Sequence, residues 1–336
     1  MERFTEGRKF HGWTPVHNGR VSESAPQPGP MTCSALSAAD EPLPGTAAQV
    51  GGWVCIEYPG AWGRDVLDGT ALGAELAREL TLRADAAGVR IMFIRRPGRS
   101  ETAHGSRTVL LANSRPEHSW CERLAIGDVS DLLSLDLARV SGPAPGLGER
   151  VTDPVVLVCA HGKRDQCCAV LGRPVAAVLA AEFGDAVWEC SHTGGHRFAP
   201  SMILLPSGNT YGRLGSDGSL LAVHAAADGR VYLPGLRGRS SWSPRGQVAE
   251  VAVRQQVLAG VDELAVDERA GDDPVVVHRD GRRWQVTLEQ RELAPRPASC
   301  GAEAKPVRPV VAVRVQELPD REGQPDSSED VATGRV

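Results

Sequence analysis

Apolar runs and segments of helical period alternate along this chain in an order that repeats once. In the first segment Trp53–Tyr58 reads as a buried strand and Thr70–Ala87 as a helix rich in Ala, Leu and Glu. Val89–Ile94, Arg107–Ala112 and Trp120–Ile126 read as three more strands, and Val129–Val140 as a helix. The second segment gives strand Val155–Cys159, a helix from about Cys168 to Phe183, and strands Val187–Cys190 and Met202–Leu205. Thr210–Leu214 then pairs back through a Ser-Gly-Asn turn, and Leu220–Ala227 is a helix. Both segments are strand–helix–strand, then a hairpin, then a helix. That order suits a right-handed crossover followed by antiparallel strands and a covering helix. The pattern predicts an α/β protein of two like halves, residues 32–145 and 151–240.

A smaller α+β segment follows over 244–316. Pro244 opens a helix over Arg245–Ala259, and Pro274–His278 and Arg283–Leu288 are strands joined at the Asp280–Gly281 turn. Val310–Val315 adds a β-branched strand entered through Pro309. Residues 1–31, with their Ser-Ala-Pro-Gln-Pro-Gly-Pro run, and 317–336 show no period and are expected to be disordered tails. Met31 is a candidate true start.

Composition narrows the function classes. The chain has 336 residues, 41% of them apolar, enough for real cores in two domains of ordinary size. A formal charge of −5 gives no support to nucleic-acid binding, which shows as a clustered basic face. No run of about 18 apolar residues is visible, and the first residues lack a signal peptide's apolar core. The expectation is a cytoplasmic protein without a membrane span. In a reducing compartment eight cysteines are not a disulfide framework, but suit metal binding or catalysis.

The chemistry concentrates in residues 159–199, which hold Cys159, Cys167, Cys168, Cys190, His161, His192 and His196. Thiolate and imidazole are the soft and borderline ligands of zinc, copper and iron–sulfur clusters. Cys159 ends a buried strand, where α/β sheets place ligands. Cys168 lies near a helix N-terminus, whose dipole and free N–H groups favour thiolate over thiol. Gly194 and Gly195 between the two later histidines make a helix there unfavourable and suit a loop wrapped closely around a group. His161 reads as a group behind the ligands. Arg164 and Arg197 read either as charge compensation with Asp165 orienting the loop, or as an ordinary surface Arg–Asp pair. Cys55, Cys121 and Cys190 read as small buried apolar groups, while Cys33 and Cys300 receive no role. A structural zinc site would use the same donors. Cys159-x-His161 and Cys190-x-His192 resemble the C-x-H of Rieske centres, but the intervening helix argues against that domain. Cys167–Cys168 lacks the C-x-x-C geometry of a dithiol redox site. No G-x-G-x-x-G follows a strand, so electrons would come from a separate reductase, and no placed carboxylate pair suggests a glycosidase.

The C-x-H-x-x-R-D-x-x-C stretch (Cys159 to Cys168), the S-H-x-G-G-H-R-F-A stretch (Ser191 to Ala199) and the P-x-G-x-x-Y-G-R run (Pro206 to Arg213) resemble the sucrase/ferredoxin-like family, a branch of the thioredoxin-like 2Fe–2S ferredoxins. The resemblance is specific over roughly 151–230 and looser at CSALS (from Cys33), PGAWG and IRRPGR. It implies two thioredoxin-like halves, the first without a metal site. It also implies a 2Fe–2S cluster on Cys159, Cys168, His192 and His196, with Cys167 as the alternative second thiolate and zinc as the alternative metal. His161, Arg164, Asp165, Gly194, Gly195, Arg197 and Pro200 would surround it. Ala199–Pro200 resembles the cis-proline facing the redox site of thioredoxins. The implied role is a one-electron carrier rather than an enzyme with its own substrate. It would serve a flavin- or NAD(P)H-dependent reductase and an unidentified acceptor. Imidazole ligation would couple its electron uptake to protons.

Overall fold

The computed structural model describes residues 32–98, 105–269 and 273–319; the expected tails lie outside them, save that 317–319 are described. Helix α1 (Cys33–Ala38) precedes the first run: β1 (Gly52–Glu57), α2 (Ala74–Ala87), β2 (Val89–Arg95), β3 (Arg107–Asn113), β4 (Trp120–Ile126) and β5 (Glu149–Val151). The second run is β6 (Val155–Cys159), α3 (Gln166–Phe183), β7 (Val187–Cys190), β8 (Ser201–Leu205), β9 (Asn209–Gly212), α4 (Ser216–Ala227) and β10 (Leu236–Arg239). All ten strands form one sheet of order β10-β9-β8-β6-β7-β2-β1-β3-β4-β5. The β1–β2 and β6–β7 pairs are parallel and the rest antiparallel. The runs meet at β2 and β7, through Ile94 opposite Cys190 and Arg95 opposite Glu189.

Strand alternation sorts the side chains between the two sheet faces. Val54, Ile56, Ile91 and Phe93 pack with Leu80 and Ala84 of α2. Val156, Val158 and Val187 pack with Val175, Ala176 and Leu179 of α3. Between them, Trp53, Cys55, Met92, Leu110, Leu157, Trp188 and Ile203 join Cys159, Cys168 and Cys190 in a third apolar cluster spanning both runs. Cys159, Cys168 and Cys190 therefore lie in the dry centre of the sheet. Removing an apolar side chain of Leu or Val size from water there contributes about 1.5–3 kcal/mol.

Helix α3 starts where it does because the Asp165 side chain accepts from the Cys167 N–H at 2.9 Å, an N-cap. Gly184, at φ +52°, ends it. Contrary to the reading that no segment is apolar enough to span a membrane, α3 passes that test by length and composition. Here its apolar face, Leu171, Val175, Ala176 and Leu179, is buried.

Several expected elements differ. Val129–Val140 is not one helix but two 3-10 segments, Val129–Ser134 and Leu137–Ser141. Asp128 caps the first, and Asp136 accepts from the Ala138 N–H to start another, so Leu135 between them is extended. The helix expected to reach Ala259 is α5 (Pro244–Arg254). It packs on an antiparallel sheet of β11 (Leu264–Asp267), β12 (Val275–His278), β13 (Arg283–Gln290) and β16 (Val310–Leu318), in that order. A two-stranded ribbon, β14 (Leu293–Pro297) and β15 (Ala304–Val307), lies between β13 and β16 in the chain. β10 reads Leu-Arg-Gly-Arg yet is wholly buried, so no apolar period marks it.

Candidate metal centre

Cys159 comes from the end of β6, Cys168 from the first turn of α3, and His192 from the loop after β7. Their donor atoms lie within 4.8 Å of one another. His196 opens a 3-10 turn over His196–Phe198, its ring centroid 4.8 Å from that of His192, but its donor stands outside the 4.8 Å group. Gly194 and Gly195 are left-handed, at φ +94° and +68°, which turns the loop back on itself. A Cβ on Gly195 would stand 2.6 Å from Arg237 Nη2 and 2.7 Å from Phe198 Cδ2. Ala199–Pro200 is cis, as is Leu205–Pro206.

Both thiols are buried, whereas both imidazoles are half-buried. The Nδ1 atoms of His192 and His196 are buried without a hydrogen-bond partner. A buried polar nitrogen without a partner costs about 1–3 kcal/mol, and a metal ion would satisfy both at once. The Cys168 S–H donates to Cys159, which holds Cys159 well below the usual thiol range, helped by His192, and pushes Cys168 up. A metal displaces such protons to solvent. The donor set therefore fits a metal group.

His161 is buried, its Nε2 2.7 Å from Gly63 O and its Nδ1 accepting from the His192 N–H at 3.3 Å. Both ring nitrogens are engaged, so His161 positions His192 and is not free to ligate. Burial keeps its pKa below 6.5. The unfolded chain then takes up this proton first as pH falls, and the contribution is lost from about 6.5 downward through the folded value. We expect the urea midpoint to fall between pH 7 and 5, less steeply in His161→Phe; equal slopes would remove His161 as the source.

Arg164 and Asp165 do not pair. Arg164 faces Asp65 at 3.9 Å at the surface, while Asp165 turns inward. Burial pushes Asp165 up, but the Cys300 and Cys167 amides outweigh it and keep it below the usual carboxylate range. Arg197 pairs with the buried Glu41 at 2.8 Å, tying the histidine loop to the chain after α1.

Cys167 stands apart from Cys159. It belongs with Cys33 and Cys300, whose sulfurs are 3.7 and 3.3 Å away. Hydrogen bonds from Cys33 and Ser34 outweigh burial and lower its pKa to about 6. The eight cysteines are all free. Burial pushes up the thiols of Cys55, Cys121 and Cys190 in the strands.

Two arginines behind the histidine loop, the buried Arg237 and the partly exposed Arg90, were not marked by the sequence. Arg237 donates to Gly194 O, Ser201 Oγ and Thr46 Oγ1, each at 3.0 Å, and to Thr46 O, with the Phe198 ring 4.9 Å from its carbon. Burial lowers its pKa to about 9. Arg90 donates to His192 O. Burial lowers it too, while Cys190 and Cys159 act in the other direction. Both hold carbonyls of the 192–194 loop inward. Arg90 also lines a cleft of about 500 Å³ that opens beside His192, with Arg64, Asp65, Asp85 and Arg164.

Comparison with curated proteins and with solved structures gives no match. The family model described as sucrase/ferredoxin-like matches residues 43–238, which include Cys159, Cys168, His192 and His196 and more than half of the chain. By that match the chain belongs to the sucrase/ferredoxin-like family.

Proposed function

We propose that the chain is an electron carrier whose Cys159, Cys168, His192 and His196 hold one 2Fe–2S cluster, within a sheet built of two thioredoxin-like halves. When bound, such a cluster exchanges one electron at a time. The observation that carries the reading is the donor arrangement. Two buried thiols and one imidazole converge within 4.8 Å, and a second imidazole with an unpartnered Nδ1 stands just outside. A single tetrahedral zinc with about 2.3 Å thiolate bonds holds its four donors on edges of about 3.8 Å. Ligands divided between two irons spread farther, as His196 does. Ferredoxin-like family membership points the same way.

The surrounding residues have distinct tasks. His161 and Arg90 fix the backbone of His192, and Arg237 fixes that of Gly194. The buried Arg237 and the partly exposed Arg90 lie where an anionic group would balance them. The cysteine side is sealed in the apolar sheet, which excludes water, and the imidazole side is half-buried beside the cleft. Electrons would enter and leave from that side, in the cytoplasm, from a flavin- or NAD(P)H-dependent reductase to a separate acceptor.

Anaerobically purified protein should show a red-brown charge-transfer absorption, with two irons and two acid-labile sulfides per chain. Cys159→Ala, Cys168→Ala, His192→Ala and His196→Ala should each lose most of both, and Cys167→Ala should retain them. Full cluster content in His196→Ala would refute the ligand set. Colourless protein carrying zinc alone would replace the carrier by a zinc-stabilised binding module.

A further inference from the structure

A second thiol cluster lies on the other side of the Cys167–Cys168 pair. Cys33 is the first residue of α1, Cys167 the second of α3, and Cys300 sits in the turn between β14 and β15. They are 134, 133 and 267 residues apart in pairs, yet their sulfurs form a triangle with sides of 3.7, 3.3 and 3.6 Å. Cys33 and Cys167 are buried, and Cys300 is partly exposed. Asp165 completes the group, its carboxylate oxygens 3.7 and 3.9 Å from Cys33 Sγ. Those oxygens are aimed by the Cys167 N–H at 2.9 Å and the Cys300 N–H at 2.8 Å. Ser34 Oγ donates to Cys167 Sγ at 3.3 Å.

We propose that Cys33, Cys167, Cys300 and Asp165 bind one zinc ion in a structural site separate from the Cys159/Cys168/His192/His196 centre. Thiolates on one tetrahedral ion at about 2.3 Å stand about 3.8 Å apart, within half an ångström of all three sides. A polynuclear iron–sulfur cluster divides its thiolates among several irons and holds them farther apart. A disulfide requires sulfurs at about 2.05 Å and would leave one of the three thiols unpaired. Three thiolates with one carboxylate match the donor types and number of closed zinc sites. The ligating carboxylate is itself hydrogen-bonded, as ligands of such sites are.

The site joins three parts of the chain that lie far apart in sequence and share no disulfide. Cys33 and Cys300 both lie outside the family-matched residues 43–238, and Cys167 lies inside. Zinc would pin α1 and the β14–β15 ribbon to the start of α3. The vicinal pair gives one thiol to each centre, and Asp165, which caps α3, links them. Binding displaces the thiol protons to solvent and involves no electron transfer.

The test uses the full chain, purified without oxygen, with Cys300→Ser as the main variant because its side chain is partly exposed in a turn. Metal analysis after zinc incubation and dialysis should give one zinc per chain in wild type and in Cys159→Ser, falling to background in Cys300→Ser and Cys33→Ser. Iron in Cys300→Ser should stay at the wild-type level. Cobalt(II) added to metal-stripped Cys159→Ser should give a sulfur-to-metal charge-transfer band saturating at one equivalent. The same addition to Cys159→Ser/Cys300→Ser should give none. Because the zinc content of Cys159→Ser and the cobalt titrations of Cys159→Ser and Cys159→Ser/Cys300→Ser are read with the first centre disabled, they stand or fall independently of the iron–sulfur reading. No retained zinc in folded Cys159→Ser would overturn the proposal. So would alkylation of Cys33, Cys167 and Cys300 at the same rate with and without zinc, or a Cys167–Cys300 disulfide in the anaerobic protein.

Discussion

Gly172→Ala is expected to destabilise the protein by about 3 kcal/mol and to lower its iron content, although alanine favours helix by about 1 kcal/mol over glycine. Gly172 lies in the middle of α3 where the helix crosses β6. A Cβ there would stand 2.1 Å from the carbonyl oxygen of Cys159 and 3.2 Å from its carbon. A carbon normally approaches a carbonyl oxygen no closer than about 3.3 Å, so helix and strand must part by roughly 1 Å. The obstacle is backbone, so no rotamer change relieves it. The strand that moves carries Cys159 and the helix carries Cys167 and Cys168, so the fault reaches both proposed metal centres. Gly218→Ala in α4 is the contrast. Its Cβ meets only the Leu214 side chain, at 3.1 Å, and the expected change lies between zero and a gain of about 1 kcal/mol. Urea midpoints and iron content check both. Gly172→Ala as stable and as loaded as wild type would show that α3 and β6 are not so tightly opposed.

What the sequence disclosed follows the range of the signals it carries. The crowding of Cys and His between residues 159 and 196 is legible in the sequence, and β6 and β7, which carry that stretch, are adjacent and parallel; the choice of Cys159, Cys168, His192 and His196 within it is what the family resemblance implies. The strand–helix–strand order was likewise readable from period alone, as were most of the strands in the large sheet. That the two runs share one sheet was not, because only Ile94–Cys190 and Arg95–Glu189 pair across the junction. Two residue pairs leave no pattern in a strand that is buried on both faces.

Long-range convergence was equally hidden. Cys33 and Cys300 had no period or neighbour to assign them, since their partner Cys167 lies 134 and 133 residues away. The sequence sets Cys167 against Cys168 as rival ligands, whereas successive helix positions point in different directions and these two thiols lie in different clusters. Arginine is ordinarily a surface residue, so Leu236–Arg239 gave no sign that both its arginines are buried. What buries Arg237 is the inward-turned carbonyl of Gly194, made possible by two left-handed glycines. Only the assembled loop shows that demand.

Arg237→Met should cost about 2–4 kcal/mol and loosen the histidine loop. Methionine keeps much of the volume but donates no hydrogen bond, leaving the carbonyls of Gly194 and Thr46 without the guanidinium in a buried place. Each such group costs about 1–3 kcal/mol when left unmet. Relief opposes this loss. Burial holds the Arg237 pKa down to about 9, so the charge is itself costly where it stands, and no carboxylate balances it among the described residues. The carbonyls win because backbone cannot turn away to water from inside the sheet. A second readout separates a specific electrostatic role from general destabilisation. An anionic group on Cys159 and Cys168 would be compensated by this cation, and removing a nearby positive charge makes electron uptake harder. The reduction potential of the loaded fraction should therefore move negative in Arg237→Met and return toward wild type in Arg237→Lys, which restores the charge but not the full set of donors. A potential unchanged in Arg237→Met, with stability lost, would confine Arg237 to bracing the loop.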